Sequence, residues 1–273
     1  MELKGIIHCH STYSYDAKLT LHELKDLCLK NGVSFVCMTE HVDEMPKESA
    51  LAFVRECEEL SDDTFLFIPG FEVPYASQVH AGTHAHILMI GQREFFGNYA
   101  PDIETLRVWT KETSFVILAH PVRNQFLVDD GLLGEIDALE VWNQQYEGKR
   151  VPRTRSLRLL RELRKKKPEL LATGGVDFHR TEHFGSPLVT LNVAVCTEAA
   201  ILEKLQTGVY RTSSEYASFL GTCPNPDTLS SRYRLQSCIS VVIINLGKIV
   251  NAVLAKIGIK LPKQLKQFIR RRL

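Results

Sequence analysis

Nine residues have side chains suited to ligating metal ions, and they gather at the ends of apolar runs. They are His8 and His10 in GIIHCHSTYSYD, Asp16 just beyond, His41 in TEH, Glu72 in GFE, His86 in HIL, His120 in AHP, and Asp177 and His179 in GVDFH. Six imidazoles and three carboxylates with no thiol among them suit Zn2+, Mn2+ or Fe2+ rather than a structural zinc held by cysteines. Nine ligands exceed the shell of a single ion, so on convergence they hold two or three divalent ions, with a carboxylate bridging two of them. A cluster of that kind lowers the pKa of bound water and stabilises the attacking and leaving oxygens of an in-line displacement. The chemistry this implies is hydrolysis of a phosphate ester.

Each fragment alone is commonplace. An H-x-H pair arises wherever alternate strand residues face one way, Glu72 beside Gly70 can be a turn residue, and His120 before Pro121 can end a strand. Their joint placement is what carries the reading. His80 and His84 share a loop with His86, so the ligand there is one of the three. His22 and His183 read as ordinary polar residues, the latter within reach of a substrate.

The elements that must position this set follow from periodicity. TLHELKDLCLKNG opens on Thr20 with Glu23 three residues on, a capping box, and has Leu21, Leu24, Leu27 and Cys28 at helical spacing before the Asn31-Gly32 stop. A β-rich run ends in Glu40-His41, a helix covers Lys47 to Leu60, and further strands carry Glu72 and His86. DIETLRVWTKET is helical, SFVILAHP and DALEVWN are strands, VPRTRSLRLLRELRKKK is an amphipathic helix, and ELLATGGVDFH is a strand. Strands separated by helices predict a largely parallel sheet. With no Gly-rich dinucleotide fingerprint, a βα barrel is favoured over an open doubly wound sheet, its reactive groups at the strands' C-terminal ends.

Composition is that of a soluble globular chain: 273 residues, 44% hydrophobic and 24% charged. The seven cysteines form no C-x-x-C pair and are odd in number, which predicts a reducing, cytoplasmic compartment rather than a disulfide framework. The first strand begins too near the N-terminus to leave room for a signal peptide. Net charge is +1, but ten of the 33 Lys and Arg and none of the 32 Asp and Glu follow Asp227, so the chain is −9 before that point and +10 after it.

In their order along residues 4 to 190, HCHSTYSYD, TEH, GFE, HIL, AHP and GVDFH followed by FGSP resemble the signature of the PHP superfamily, the polymerase and histidinol phosphatase domain; LEVWN belongs to the same pattern. The resemblance implies an α/β fold, a distorted (β/α)7 barrel with a trinuclear metal centre. One ion would take His8, His10, Glu72 and Asp177; a second would share Glu72 and add His86 and His120; a third would be held by Asp16, His41 and His179. It also implies a mechanism in which a metal-bridged hydroxide attacks phosphorus, with Glu72, Asp177 and His179 as catalytic residues. Arg123 and Arg180, close after ligands, are the candidates for gripping phosphate, because the guanidinium fork matches its oxygens. By analogy with stand-alone members the substrate is a nucleotide or short oligonucleotide, with histidinol phosphate as the alternative. A non-catalytic metal-binding regulatory module is the alternative of another class.

The expected organisation is a barrel over residues 1–215, a linker or surface loop over 216–234 on Gly, Pro, Asn and Ser signals, and a basic amphipathic helical extension over 235–273. The apolar stretch from Ser237 is interrupted by Asn245, Lys248, Asn251 and Lys256, a poor spanning helix. The final KLPKQLKQFIRRRL is a helix docked on the body, a surface for an anionic membrane or a protein partner, or a nucleic-acid contact. The membrane reading makes the protein cytoplasmic and peripheral.

Overall fold

The computed structural model describes residues 1–76 and 84–223, together with Val242, Leu246 and Val250. Most of the expected extension, 235–273, and part of the expected linker therefore lie outside the described residues. In chain order the elements are β1 (Glu2–Cys9), α1 (Leu21–Lys30), β2 (Phe35–Met38), β3 (Glu40–His41), α2 (Lys47–Leu60), β4 (Leu66–Ile68), β5 (Gly70–Ala76) and β6 (His84–Ile90). Then follow α3 (Ile103–Lys111), β7 (Phe115–Ala119), α4 (Asp130–Glu135), β8 (Ala138–Asn143), α5 (Gln144–Glu147), α6 (Thr154–Leu163) and β9 (Leu171–Gly175). The last are β10 (Leu188–Asn192), α7 (Glu198–Gln206), β11 (Arg211–Ser213) and β12 (Ser218–Leu220).

Local sequence explains the helix starts. The Thr20–Glu23 capping box forms as expected, Thr20 Oγ1 accepting from the Glu23 N–H at 3.2 Å and Glu23 Oε2 from the Thr20 N–H at 2.9 Å. Asp102, Asp129 and Thr197 cap α3, α4 and α7 in the same way, each accepting an orphan N–H of the first turn.

The strands form two six-stranded sheets, ordered β12-β11-β10-β1-β2-β4 and β3-β5-β6-β7-β8-β9. Two seams connect them. Strand β2 runs on into β3 through Thr39, whose N–H donates to the Cys9 carbonyl at 2.8 Å. On the other side the chain after β9 bonds to β1, with the Val176 and Phe178 N–H groups donating to the carbonyls of Ile7 and His8.

The expectation of a largely parallel sheet is corrected: pairings divide evenly between parallel and antiparallel. Three of the antiparallel pairings belong to β10, β11 and β12, and the other two to β6. Only residues 77–83 join it to β5, too few for the crossover a parallel strand needs, so β6 runs reversed and is antiparallel to both β5 and β7. This reversal accounts for His86 lying near the start of its strand while others of the nine candidates lie at strand ends. It is paired with Pro74 on β5 and Ala119 on β7.

Period-2 alternation sorts the core. Ile6, Val36, Val116 and Leu118 join one apolar cluster with α1, α2, α3, α4 and α6. Their strand neighbours Ile7, Phe35, Cys37, Phe115 and Ile117 join a second cluster shared by both sheets and α7. Both faces of these strands are thus buried, which is why they read as near-continuous apolar runs. Ser218–Leu220, expected at the start of a linker, instead pairs with β11 and buries Phe219 completely. Among the described residues no helix is long and apolar enough to cross a membrane.

Candidate metal centre

The seam between the sheets is where the nine residues meet. His8 and His10 come from the end of β1, Asp16 from the loop after it, His41 from β3, Glu72 from β5 and His86 from β6. His120 follows β7, and Asp177 and His179 follow β9. Seven of the nine are buried, His179 is half-buried, and the Asp16 side chain is 38% exposed.

Three of them have backbones in the left-handed region: His8 at φ 65°, His120 at φ 24° and Asp177 at φ 54°. Such torsions cost a non-glycine residue of order 1–3 kcal/mol and persist only where the surroundings over-determine them. At His8 the effect on register is visible. Ile7 pairs with Cys37 and Cys9 with Met38, so His8 is an extra residue in β1, and the strand's facing is reset there.

Glu72 is the hub. Its Oε2 lies 3.1 Å from His8 Nε2, 3.2 Å from His10 Nε2 and 3.4 Å from His41 Nδ1. Its Oε1 lies 3.0 Å from His120 Nε2 and in close contact with His86 Nδ1. Asp177 Oδ1 stands 3.5 Å from His8 Nε2, 3.6 Å from His10 Nε2 and 3.4 Å from His179 Nδ1. Asp16 meets His179 Nε2 at 3.1 Å and His41 Nε2 at 3.7 Å. Four overlapping triads each bring three ligand atoms within 4.8 Å of one another: His8, His10 and Glu72; His8, His120 and Asp177; His41, Glu72 and His86; His10, His41 and His179.

The donor set fits divalent cations on an observation independent of motif: His10 Nε2, His41 Nδ1 and Asp16 Oδ1 are buried without a hydrogen-bond partner. Orphaned buried polar atoms are costly unless something else satisfies them, and a cation accepts all three lone pairs. Burial pushes the His41 imidazole down to about 3, keeping it neutral and able to ligate. Burial alone would raise Glu72, but the facing imidazoles of His8 and His86 outweigh it and hold the carboxyl well below its usual range. Burial raises Asp16 too, and the hydrogen bond and charge of His179 overcome it.

Two buried carboxyls in contact with this cluster were not among the sequence candidates. Glu40 accepts from the Ser11 N–H at 2.8 Å, the Ser11 hydroxyl at 2.7 Å and the Ser14 hydroxyl; Ser14 Oγ in turn accepts from the His41 N–H at 2.9 Å. Glu140 Oε1 lies 2.9 Å from His8 Nδ1, and its Oε2 accepts from the His120 N–H at 2.6 Å. The available signal was a charged residue inside an otherwise apolar strand: every residue of ALEVWN in β8 is buried.

At the rim, Arg123 is exposed and brings Nη1 within 3.3 Å of His86 Nδ1. Tyr15, 65% exposed, stacks its ring on His41 at 5.3 Å. Arg180 is exposed at the cap of a short 3-10 turn, Thr181–His183, where it lies near His183 rather than among the ligands. His183 Nδ1 accepts from the His179 N–H at 3.2 Å, and His22 is exposed and apart. Of the alternatives to His86, His84 is exposed and His80 lies outside the described residues.

Residues 7–126 match the PHP domain family. No curated protein matches the chain. Among solved structures it is similar to a two-domain protein of Bacteroides vulgatus containing a predicted PHP-like metal-dependent phosphoesterase, at 15% identity and a TM-score of 0.56 over 78% of this chain. The chain spans 65% of that protein's length. It is also similar to PsfC of Pseudomonas syringae, at 16% identity and a TM-score of 0.52 over 91% of this chain and 98% of that one. The lesion-specific endonuclease EndoQ of Pyrococcus furiosus matches at 17% identity and a TM-score of 0.53, over 78% of this chain and 58% of that one. The PHP domain match over residues 7–126 takes in HCHSTYSYD, TEH, GFE, HIL and AHP, and with them seven of the nine candidate residues.

Proposed function

We propose that the protein is a metal-dependent phosphoesterase acting on a nucleotide or short oligonucleotide, and that its two joined sheets are the distorted (β/α)7 barrel of the PHP type. The observation that carries the reading is the convergence of the nine candidate side chains, with Glu72 as hub and an arginine at their rim. His8, His10, Glu72 and Asp177 would hold one ion, Glu72, His86 and His120 a second, and Asp16, His41 and His179 a third. Divalent ions such as Mn2+, Fe2+ or Zn2+, when bound there, acidify water and neutralise charge developing on phosphoryl oxygens.

The chain's own residues have the following parts. Glu72, within reach of imidazoles on both sides, would serve two of these ions, Asp177 would complete the first, and Asp16 orients His179. Arg123 grips a phosphoryl oxygen, with Arg180 as a second phosphate contact from the neighbouring loop. Tyr15 favours the nucleotide over histidinol phosphate, because one face of its ring rests on His41 and the open face is a platform for a nucleobase. The endonuclease among the fold neighbours supports a nucleic-acid phosphodiester as compatible with this architecture. A purely regulatory metal module has no need of an exposed guanidinium and an open aromatic face beside its ligands.

The test is turnover of nucleoside monophosphates, dinucleotides, histidinol phosphate and p-nitrophenyl phosphate by protein loaded with each metal. Preference for the nucleotides supports the reading. No turnover of any ester by fully loaded protein refutes it.

A further inference from the structure

The three ligands with left-handed backbones, His8, His120 and Asp177, also form one of the triads that gather within ion-binding distance. All three are held by the same two residues of β8. Glu140 contacts the His8 ring through one oxygen at 2.9 Å and accepts the His120 N–H through the other at 2.6 Å. Asn143 Nδ2 donates to Glu140 at 2.9 Å and to Asp177 Oδ2 at 3.3 Å. Both side chains are buried, Glu140 at 0% and Asn143 at 1% exposure.

Ordinary strand alternation would not put residues 140 and 143 on one face. The pairing with β9 slips at Val141, so that Glu140 faces Thr173 and Asn143 faces Gly175, which brings both to one side. The slot they occupy depends on Gly175: a Cβ there would stand 1.8 Å from Glu140 Oε1 and 2.8 Å from His8 Cβ. A bulge, a glycine and two buried polar side chains thus serve the three strained ligands together.

We propose that Glu140 and Asn143 are positioning residues dedicated to His8, His120 and Asp177, and so to the two ions that would share Glu72. They fix the His8 tautomer with Nδ1 donating, leaving the Nε2 lone pair to the ion, hold the unfavourable His120 backbone through its N–H, and orient the Asp177 carboxylate through Oδ2. The inference rests on the reading of the cluster as a metal centre. It adds that the ions are supported separately, His41 of the third ion leaning instead on Ser14 and, through it, Glu40.

The experiment is Co2+ titration of the full chain, wild type against Glu140→Gln and Asn143→Ser, followed by d–d absorption and chelator competition, with far-UV circular dichroism to monitor the fold. Ser at 143 can still cap α5, as Asn143 does by accepting from the Gln145 and Tyr146 N–H groups, but cannot bridge Glu140 to Asp177. The expected result is weakening of the two ions that would share Glu72, roughly 10- to 100-fold, with an altered spectrum, the third Co2+ bound as before, in a folded protein. Should Glu140→Gln fail to fold, Asn143→Ser decides alone. Unchanged binding in folded variants, or equal weakening of every ion, overturns the proposal. A wild type that binds no Co2+ overturns the metal-centre reading itself.

Discussion

Glu147 closes α5 with its carboxyl buried, 4% exposed, and receives the Ser156 hydroxyl and, at 3.2 Å, the Arg153 N–H. The Arg153 guanidinium is engaged elsewhere, with Nη2 donating to the Tyr146 carbonyl at 2.5 Å. Burial pushes the carboxyl up to about 8, more than its hydrogen bonds can offset. In the unfolded chain the group titrates near 4.5. Between those values the folded state holds a proton that the unfolded state has released, so stability is fully present below about pH 4.5 and falls as pH rises to about 8, levelling beyond. At about 1.4 kcal/mol per unit the loss is at most about 5 kcal/mol. Glu147→Gln mimics the protonated acid at every pH and removes this dependence. Urea denaturation of both proteins from pH 5 to 9 at fixed metal concentration reads the difference, in which every other titrating group cancels. The variant should gain several kcal/mol relative to wild type between pH 5 and pH 8.5. A constant difference across that range would refute the assignment of a neutral, buried acid.

Arg123→Ala should raise KM for the preferred ester by roughly tenfold or more, from the loss of a charge-assisted hydrogen bond, and leave metal content intact; unchanged KM with collapsed metal content removes its phosphate role. Tyr15→Leu should weaken nucleoside monophosphates by roughly tenfold, the worth of a stacking contact, and spare glycerol phosphate; an equal effect on both esters eliminates the platform. Phe53→Ala, at a fully buried ring packed against Tyr13 and Phe71, should cost about 3–5 kcal/mol in denaturant unfolding, and a cost below about 1 kcal/mol would mean the core there closes over the gap.

Much of the site was legible because ligand chemistry is restrictive. Few residue types bind metals, and their repeated occurrence where apolar runs end reveals their convergence even when register is unknown. The Thr20 box and the Lys47–Leu60 helix were equally plain, since capping and 3.6-residue periodicity are local. What escaped depends on partners distant in sequence. The reversal of β6 follows from a connection length that looks like any loop, and the bulges at His8 and Val141 exist only relative to β2 and β9. Glu140 therefore read as one more residue of LEVWN, although the bulge at Val141 brings it together with Asn143. Strand β12 was hidden by turn-forming neighbours; three residues suffice to continue an edge, and its apolar contribution is the single buried Phe219.

Whether the nine residues hold a catalytic cluster of ions is decided by elemental analysis of the purified protein. The wild type should carry about two to three equivalents of Mn, Fe or Zn, with loss of ions in Glu72→Ala and Asp177→Ala and of phosphoester hydrolysis in parallel. Less than about one equivalent after reconstitution, or full metal content in both variants, would contradict such a cluster.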